Sequence, residues 1–411
     1  MSPSPQIRRT TELQFTRTPT KILHCLGTLD PGGVETWLLS LLKSLDTKQF
    51  QFDFCIFGRH SGLYTPEVKK FGAKVFRCPR SQNLWSFGRS FRKILRQGQY
   101  DVVHSHVHAF SGLLLRYARL EGVPVRIAHS HNSHDGKSNT AGRRAYRFLA
   151  RRWIRRHATH GLAASREAAD DIFLDWRNDS RVAILHCGID LDRFRGAVDR
   201  NLSREKIGLP TGVVVIGHVG NFVPAKNHAF FLEIAAQIRK HRPATHFLLI
   251  GDGACRAEIE ARAQKMGLRD NIHFLGTRTD VPHLLRSCMD AFIFPSLYEG
   301  LPMAVIEAQA AGLPCVISDK ITSEVAILPQ QIIQLPLTLG PGEWARVTVD
   351  SLLPRHPESE VAVSAVAQTD FCIRRSGEVL TQLYAKACRD GRKSTMDSLR
   401  NASVANSTQS H

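Results

Sequence analysis

No stretch of this sequence approaches the roughly 18 consecutive apolar residues of a membrane-spanning helix, so a helical transmembrane protein is not expected. The segment Met1–Thr20 is polar, carries Pro and Arg, and lacks an apolar core, so no secretory signal is expected either. Cysteine is present without a pattern. The nine residues are odd in number and follow no ligand-like spacing, and Cys55, Cys288 and Cys315 fall inside apolar runs. That excludes a disulfide framework and reads as reduced thiols in a cytoplasmic protein. Repeats of solenoid length are also missing.

Acidic residues are scarce. Asp and Glu number 37 against 55 Lys and Arg, for a formal charge of +18. Such an excess suits nucleic acid, anionic lipid or phosphorylated substrates. No nucleic-acid-binding motif accompanies it, so nucleic acid is not an expected partner. Much of the excess lies in one acid-free segment, residues 137–156, with Lys137, Arg143, Arg144, Arg147, Arg151, Arg152, Arg155 and Arg156. Helical spacing puts Arg144, Arg147, Arg151 and Arg155 on one face, with Phe148, Leu149 and Trp153 available for an apolar side. This pattern suits an interfacial helix on an anionic membrane surface, and it also suits a solvated basic helix.

What the chain does have is alternation. Apolar strand candidates at 22–26, 52–57, 74–76, 101–104, 125–129, 161–164 and 182–186 alternate with helical segments such as 34–45 and 110–121. A second series follows at 213–219, 245–251, 271–275, 291–294, 314–318 and 332–335. Strand–helix alternation predicts parallel sheets, here two Rossmann-like α/β domains facing each other across a cleft. The expected boundaries are a disordered tail over 1–20, a first domain over 21–190 and a linker over 191–212. A second domain covers 213–368, a last helix 369–389 returns toward the first domain, and a disordered tail covers 390–411. Residues 337–358 are rich in Pro and Gly and carry no readable pattern.

The most informative run is Phe294–Asp319. A strand ends at Pro295-Ser296, a loop Glu299-Gly300-Leu301-Pro302 feeds a helix from Met303, and a second strand follows Gly312. In such a βαβ unit the ligand sits at the strand's carboxyl end, where helix N–H groups suit a phosphate and carboxylates suit sugar hydroxyls. Glu299 lies on the loop and Glu307 about one helical turn inside. The plain alternative is a solvated Glu and a capping Glu. Elsewhere, Gly32-Gly33 follows the first strand, Lys226 lies between a strand and a helix, and Arg278 sits in the loop Gly276-Thr-Arg-Thr-Asp280. Histidines cluster at two strand ends, His104-Ser-His106-Val-His108 and His129-Ser-His131-Asn132. By ligand type they could hold zinc, but acid and thiol ligands at matching spacing are absent, so packed or surface histidines are favoured over a metal site. Asp190-Leu-Asp192 sits in a linker turn and is not read as a metal motif.

Taken with its Gly-Leu-Pro turn and Glu-Ala helix, the E-x7-E run resembles the donor-site signature of retaining family-4 glycosyltransferases of the GT-B fold. His-Ser-His and Lys-Asn-His are similar to the exopolysaccharide-type members, and the resemblance spans about Lys21 to Ser323. It implies an enzyme that transfers a sugar from a nucleotide sugar, UDP- or GDP-linked, to a saccharide or lipid-linked saccharide, without cofactor or metal. Glu299, His106 and Lys226 would then be catalytic. Gly32, Gly33, Asn221, Arg278, Gly300, Leu301, Pro302 and Glu307 would bind the donor, and His108, His131 and Asn132 would border the acceptor. Asn221 stands where the family usually has arginine, so one diphosphate-neutralising cation is missing. A silent nucleotide-sugar binder or an epimerase of the same fold are the competing expectations.

Overall fold

The computed structural model describes residues 19–58, 60–79, 83–132, 140–352 and 359–407. Lys137 and the first eighteen residues lie outside them. The first sheet contains β1 (Thr20–Leu26), β2 (Phe50–Ile56), β3 (Val75–Arg77), β4 (Val102–Ser105), β5 (Val125–Ser130), β6 (His160–Ala163) and β7 (Val182–Ile184). Its helices are α1 (Gly33–Ser44), α2 (Thr65–Lys70), α3 (Leu84–Gly98), α4 (Ser111–Leu120), α5 (Ala141–His157) and α6 (Arg166–Ile172). A short α7 (Arg200–Glu205) precedes the second sheet, whose strands are β8 (Val215–Val219), β9 (His246–Ile250), β10 (Ile272–Phe274), β11 (Ala291–Phe294), β12 (Cys315–Ser318) and β13 (Ile332–Leu335). Between and after them run α8 (His228–His241), α9 (Arg256–Lys265), α10 (Val281–Cys288), α11 (Met303–Ala310), α12 (Gly340–Asp350), α13 (Ser359–Ala367) and α14 (Ile373–Ser407).

Both sheets are parallel, with orders β3-β2-β1-β4-β5-β6-β7 and β10-β9-β8-β11-β12-β13. The strands are near-continuous apolar runs because helices cover both faces; Ile22, Phe54, Val102, Ile216, Phe247 and Phe292 are all buried. In each sheet the order reverses beside the first strand, between β1 and β4 and again between β8 and β11. Ligands of such sheets bind at the carboxyl ends flanking that reversal. The fold therefore points two such crevices at one cleft.

The chain crosses between the domains twice at one place. Ile189, leaving the first domain, bonds both ways with the segment entering α14: its N–H donates to Phe371 O (2.7 Å), and Ile373 N–H donates to its carbonyl (3.0 Å). α14 then packs on α1, where Trp37 Nε1 donates to Ser376 Oγ at 3.4 Å.

Three stretches depart from the sequence reading. The charged segment read as linker contains α7, whose Arg204 is buried and bonds Asp290 and the carbonyls of Val213 and Cys288. The unpatterned stretch after Leu335 holds α12. Its Gly340-Pro-Gly342 opening occupies the first turn, where proline's missing N–H costs nothing, and Trp344 and Thr348 are buried. α14 continues past Asp390 to Ser407, through residues read as a disordered tail. Polar composition hid the continuation. No helix among the described residues is long and apolar enough to cross a membrane.

Candidate active site

Between the two sets of strand ends lies a cavity of about 570 Å³. It collects Gly32, Gly33, His106, His131 and Asn132 from the first domain and Asn221, Lys226, Arg278, Glu299, Gly300, Leu301, Pro302 and Glu307 from the second.

Two helix N-termini meet here. Gly33 opens α1 and Met303 opens α11, and a Cβ on Gly33 would stand 3.3 Å from Met303 Cγ. α11 has no side-chain cap and no acid in its first turn. Its positive end and free amides are therefore available to an anion. Opposite, the Gly300 loop touches the end of β5: a Cβ there would lie 2.0 Å from the His131 carbonyl oxygen. Only glycine permits that approach.

Lys226 sits in the turn before α8, on the loop that leaves β8. Its Nζ donates to Glu299 Oε1 at 2.6 Å, and both side chains are largely buried. The same ammonium stands 4.8 Å from the centroid of the Phe294 ring. Glu307 has no such ion-pair partner at close range among the described residues. Burial pushes its carboxyl up to about 7, with the Arg193 guanidinium pulling the other way. Arg278 is held by Asp280 through two bonds, 2.8 and 2.6 Å.

The histidines form a stacked column rather than a scatter. His131 Nε2 meets His106 Nδ1 at 2.9 Å, and His106 Nε2 meets His24 Nδ1 at 3.1 Å. Beside this chain, His104 bonds His129 at 3.2 Å and the Tyr384 hydroxyl of α14 at 2.6 Å. Burial pulls all five rings far below the ordinary imidazole range, so they are neutral. His24, His104 and His106, and likewise His106, His129 and His131, bring ring nitrogens within 4.8 Å of one another. The His104 and His106 rings stack at 4.2 Å, and those of His129 and His131 lie 4.0 Å apart. Several of these ring nitrogens bond one another within the column, and imidazole is also a metal-ligand type, so the two triplets keep the composition of a metal site.

His108 departs from the sequence reading. At φ 50° it turns away from the cavity, and its Nε2 bonds Asp171 of α6 at 2.5 Å. The shared carboxylate, which Arg147 also holds, draws the imidazole toward α5 and α6. Glu35, Tyr64 and Arg193 also line the cavity but were not read from the sequence. Glu35 follows the Gly-Gly pair by two positions and was legible as a first-turn acid; Arg193 lay in the supposed linker and carried no signal.

The helix α5 is oriented otherwise than its charge pattern suggested. Arg147 and Arg151 fold back onto Asp171 and the Asp170 carbonyl, whereas Phe148 and Leu149 are more than half exposed and Trp153 over a third. Between α4 and α5 lies a groove of about 520 Å³ lined by Arg116, Arg119, Leu120, Trp153, Arg156 and His157.

Comparison with known proteins bears directly on this arrangement. Residues 31–193 match the model of Glycosyltransferase Family 4, and residues 199–329 match that of Glycosyl transferases group 1. EpsF of Bacillus subtilis strain 168, named as a glycosyltransferase, is 32% identical over 89% of this chain and 96% of its own. An Escherichia coli UDP-Gal:alpha-D-GlcNAc-diphosphoundecaprenol alpha-1,3-galactosyltransferase is 32% identical over 56% of this chain and 60% of its own. Among solved structures, HepE of Anabaena in complex with UDP superposes with a TM-score of 0.71 at 17% identity, covering 89% of this chain and all of that one. WaaG, a glycosyltransferase of lipopolysaccharide biosynthesis, superposes with a TM-score of 0.66 at 18% identity, over 88% and 99%. The paired Rossmann-like domains are thus the GT-B fold, and the chain belongs to the family-4, group 1 glycosyltransferases.

Proposed function

We propose that the protein transfers a sugar, with retention of configuration, from a UDP-sugar to a saccharide carried on a lipid diphosphate in polysaccharide biosynthesis. The observation that carries this reading is the convergence of two helix N-termini and Lys226 on one cavity that Glu307 also lines. Helix ends and an ammonium are the groups a diphosphate needs, and a carboxylate can accept from ribose hydroxyls. The E. coli relative's named donor and acceptor, and the UDP bound to HepE, support the choice of nucleotide and of a lipid-linked acceptor.

In this mechanism negative charge develops on the leaving diphosphate, and stabilising that charge lowers the barrier more than any other contribution of the site. Lys226, the amides at Gly300, Leu301 and the start of α11, and the Gly32–Gly33 backbone supply that stabilisation. A metal ion is not required. Arg193 lines the same cavity and offers a cation where Asn221 lacks one. Glu299 binds donor-sugar hydroxyls near the anomeric carbon. The leaving phosphate oxygen accepts the proton of the acceptor hydroxyl, on the same face. His106, His131 and Asn132 wall the acceptor side. His106 enters as a neutral group, because burial first, and then the neighbouring imidazoles, hold it well below the ordinary range.

The groove between α4 and α5, with three arginines, an indole and Leu120, supports peripheral attachment to an anionic membrane on the cytoplasmic side, where a lipid-linked acceptor resides. The test of the central reading is acceptor-dependent release of UDP from UDP-sugars. Release requiring a polyprenyl-diphosphate saccharide supports transfer, and equal release without it contradicts transfer.

A further inference from the structure

The two helix ends that face each other in the cleft are not equivalent. α11 has no acid in its first turn, whereas α1 carries Glu35 there. The Glu35 carboxylate folds back over its own helix end: a Cβ on Gly32 would lie 2.5 Å from Glu35 Oε2. It also bonds its own backbone N–H. Gly32, the first of the glycine pair that would have to approach a diphosphate, is therefore already covered by a carboxylate, and one of the two positive helix ends is neutralised from within.

We infer that Glu35 is the resident anion of the α1 N-terminus, which the donor's diphosphate displaces while Glu35 takes up a proton from solvent. The inference rests on the donor site proposed above. A carboxylate and a diphosphate cannot both hold one helix end without repulsion, and protonation removes that repulsion. The proton is within reach near neutrality: burial, reduced by the bond to its own N–H and added to by Asp30, holds the Glu35 carboxyl up to about 7.

Glu35 shares this side of the cleft with Asp30, Tyr64, Cys187 and Arg193. Asp30 bonds Thr28 at 2.6 Å and stands 3.4 Å from His60. Tyr64 at the start of α2 and Cys187 beyond β7 are both pushed upward by burial and so stay protonated. Arg193 lines the same cavity. Glu307, on α11, is the other carboxyl held near 7, and the test must separate the two.

The experiment is calorimetric titration with UDP-glucose, whose diphosphate has no proton to exchange near neutrality. It is run at pH 7.5 in two buffers of different ionisation enthalpy, with wild type, Glu35→Gln and Glu307→Gln. Wild type should take up about half a proton or more per UDP-glucose bound. Glu307→Gln should keep that uptake and Glu35→Gln should lose it. Glu35→Gln should also bind about tenfold tighter than wild type at pH 8, because wild type must first be protonated one unit above its pKa. Wild-type uptake near zero, or unchanged uptake in Glu35→Gln, overturns the inference and leaves the donor site intact. Absence of binding by UDP-, GDP- and ADP-glucose in all three proteins overturns the donor site and this inference with it.

Discussion

The Lys226 ammonium stands 2.6 Å from the Glu299 carboxylate in the wall of the cleft, with the two side chains only 18% and 12% exposed. One comes from the loop after β8 and the other from the loop after β11, so the pair spans the reversal point of the second sheet. Each charge compensates the burial of the other. Lys226→Ala and Glu299→Ala should each lower kcat/KM by about 100- to 1,000-fold, the range seen when a charge-stabilising group is removed. Lys226→Ala should also destabilise the fold by up to about 3 kcal/mol, and adding Glu299→Ala should return most of that loss, because the uncompensated carboxylate is gone. Urea unfolding and steady-state kinetics on the single and double variants check both points. Near wild-type turnover in either single variant contradicts the assignment.

Gly300 places the donor loop against the end of β5. The atoms that a Gly300→Ala methyl would meet are backbone, at 2.0 Å and 2.7 Å, so no side-chain rotation relieves the clash. The domains would have to separate there, and the closed arrangement that excludes water is lost. Turnover should fall at least about tenfold, with little change in the stability of either domain. Equal kinetics for Gly300→Ala and wild type would mean that this contact is not part of the working state.

Acid should unfold the protein early. His24 and His131 are pushed down to about 3, and His104, His106, His129 and His218 are held well below the ordinary range, by burial first. Below pH 6.5 the unfolded chain binds protons that the folded chain refuses. Stability is therefore full above about 6.5 and falls as pH drops, by up to about 1.4 kcal/mol per pH unit for each ring. Glu35 and Glu307 act oppositely. Their raised pKa values favour folding toward acid between the ordinary carboxyl range and about 7, but two carboxyls are outnumbered by six imidazoles. The urea midpoint should thus be clearly lower at pH 5 than at pH 7. Equal midpoints contradict a neutral, buried histidine column.

The groove between α4 and α5 offers a separate test. Arg116→Glu with Arg119→Glu and Arg156→Glu should abolish cosedimentation with vesicles containing anionic phospholipid. Turnover with a water-soluble acceptor analogue should change little. Trp153→Ala should weaken binding to the same vesicles about two- to tenfold through lost interfacial burial. Vesicle binding by the triple variant at the wild-type level would exclude this face.

Much of the fold is legible in the chain itself. The alternating apolar runs are long and bounded by turn residues, so every strand falls within a few residues of its expected place, and local pattern alone puts the loop from Glu299 to Pro302 at a strand end. α12 is not legible in this way, because Gly340-Pro-Gly342 looks like loop chemistry unless the burial of Trp344 is known. His24 carries no signal, since its part in the column depends on β1 lying beside β4. His108 looks like its neighbour His106 in sequence, and only the turn after β4 separates their directions. Glu35 is readable as a first-turn acid of α1, but its reach into the cleft, like that of Arg193, comes from tertiary placement. Such long-range relations leave no short-range trace.

The most direct measurement is a thermal-shift and nucleotide-release screen over UDP-, GDP- and ADP-sugars, with wild type and Glu307→Ala, in the presence and absence of a polyprenyl-diphosphate saccharide. Stabilisation of wild type by a UDP-sugar, lost in Glu307→Ala, together with nucleotide release only when the acceptor is present, is the predicted result. No shift with any donor, or release that ignores the acceptor, contradicts sugar transfer from a donor held in this cleft.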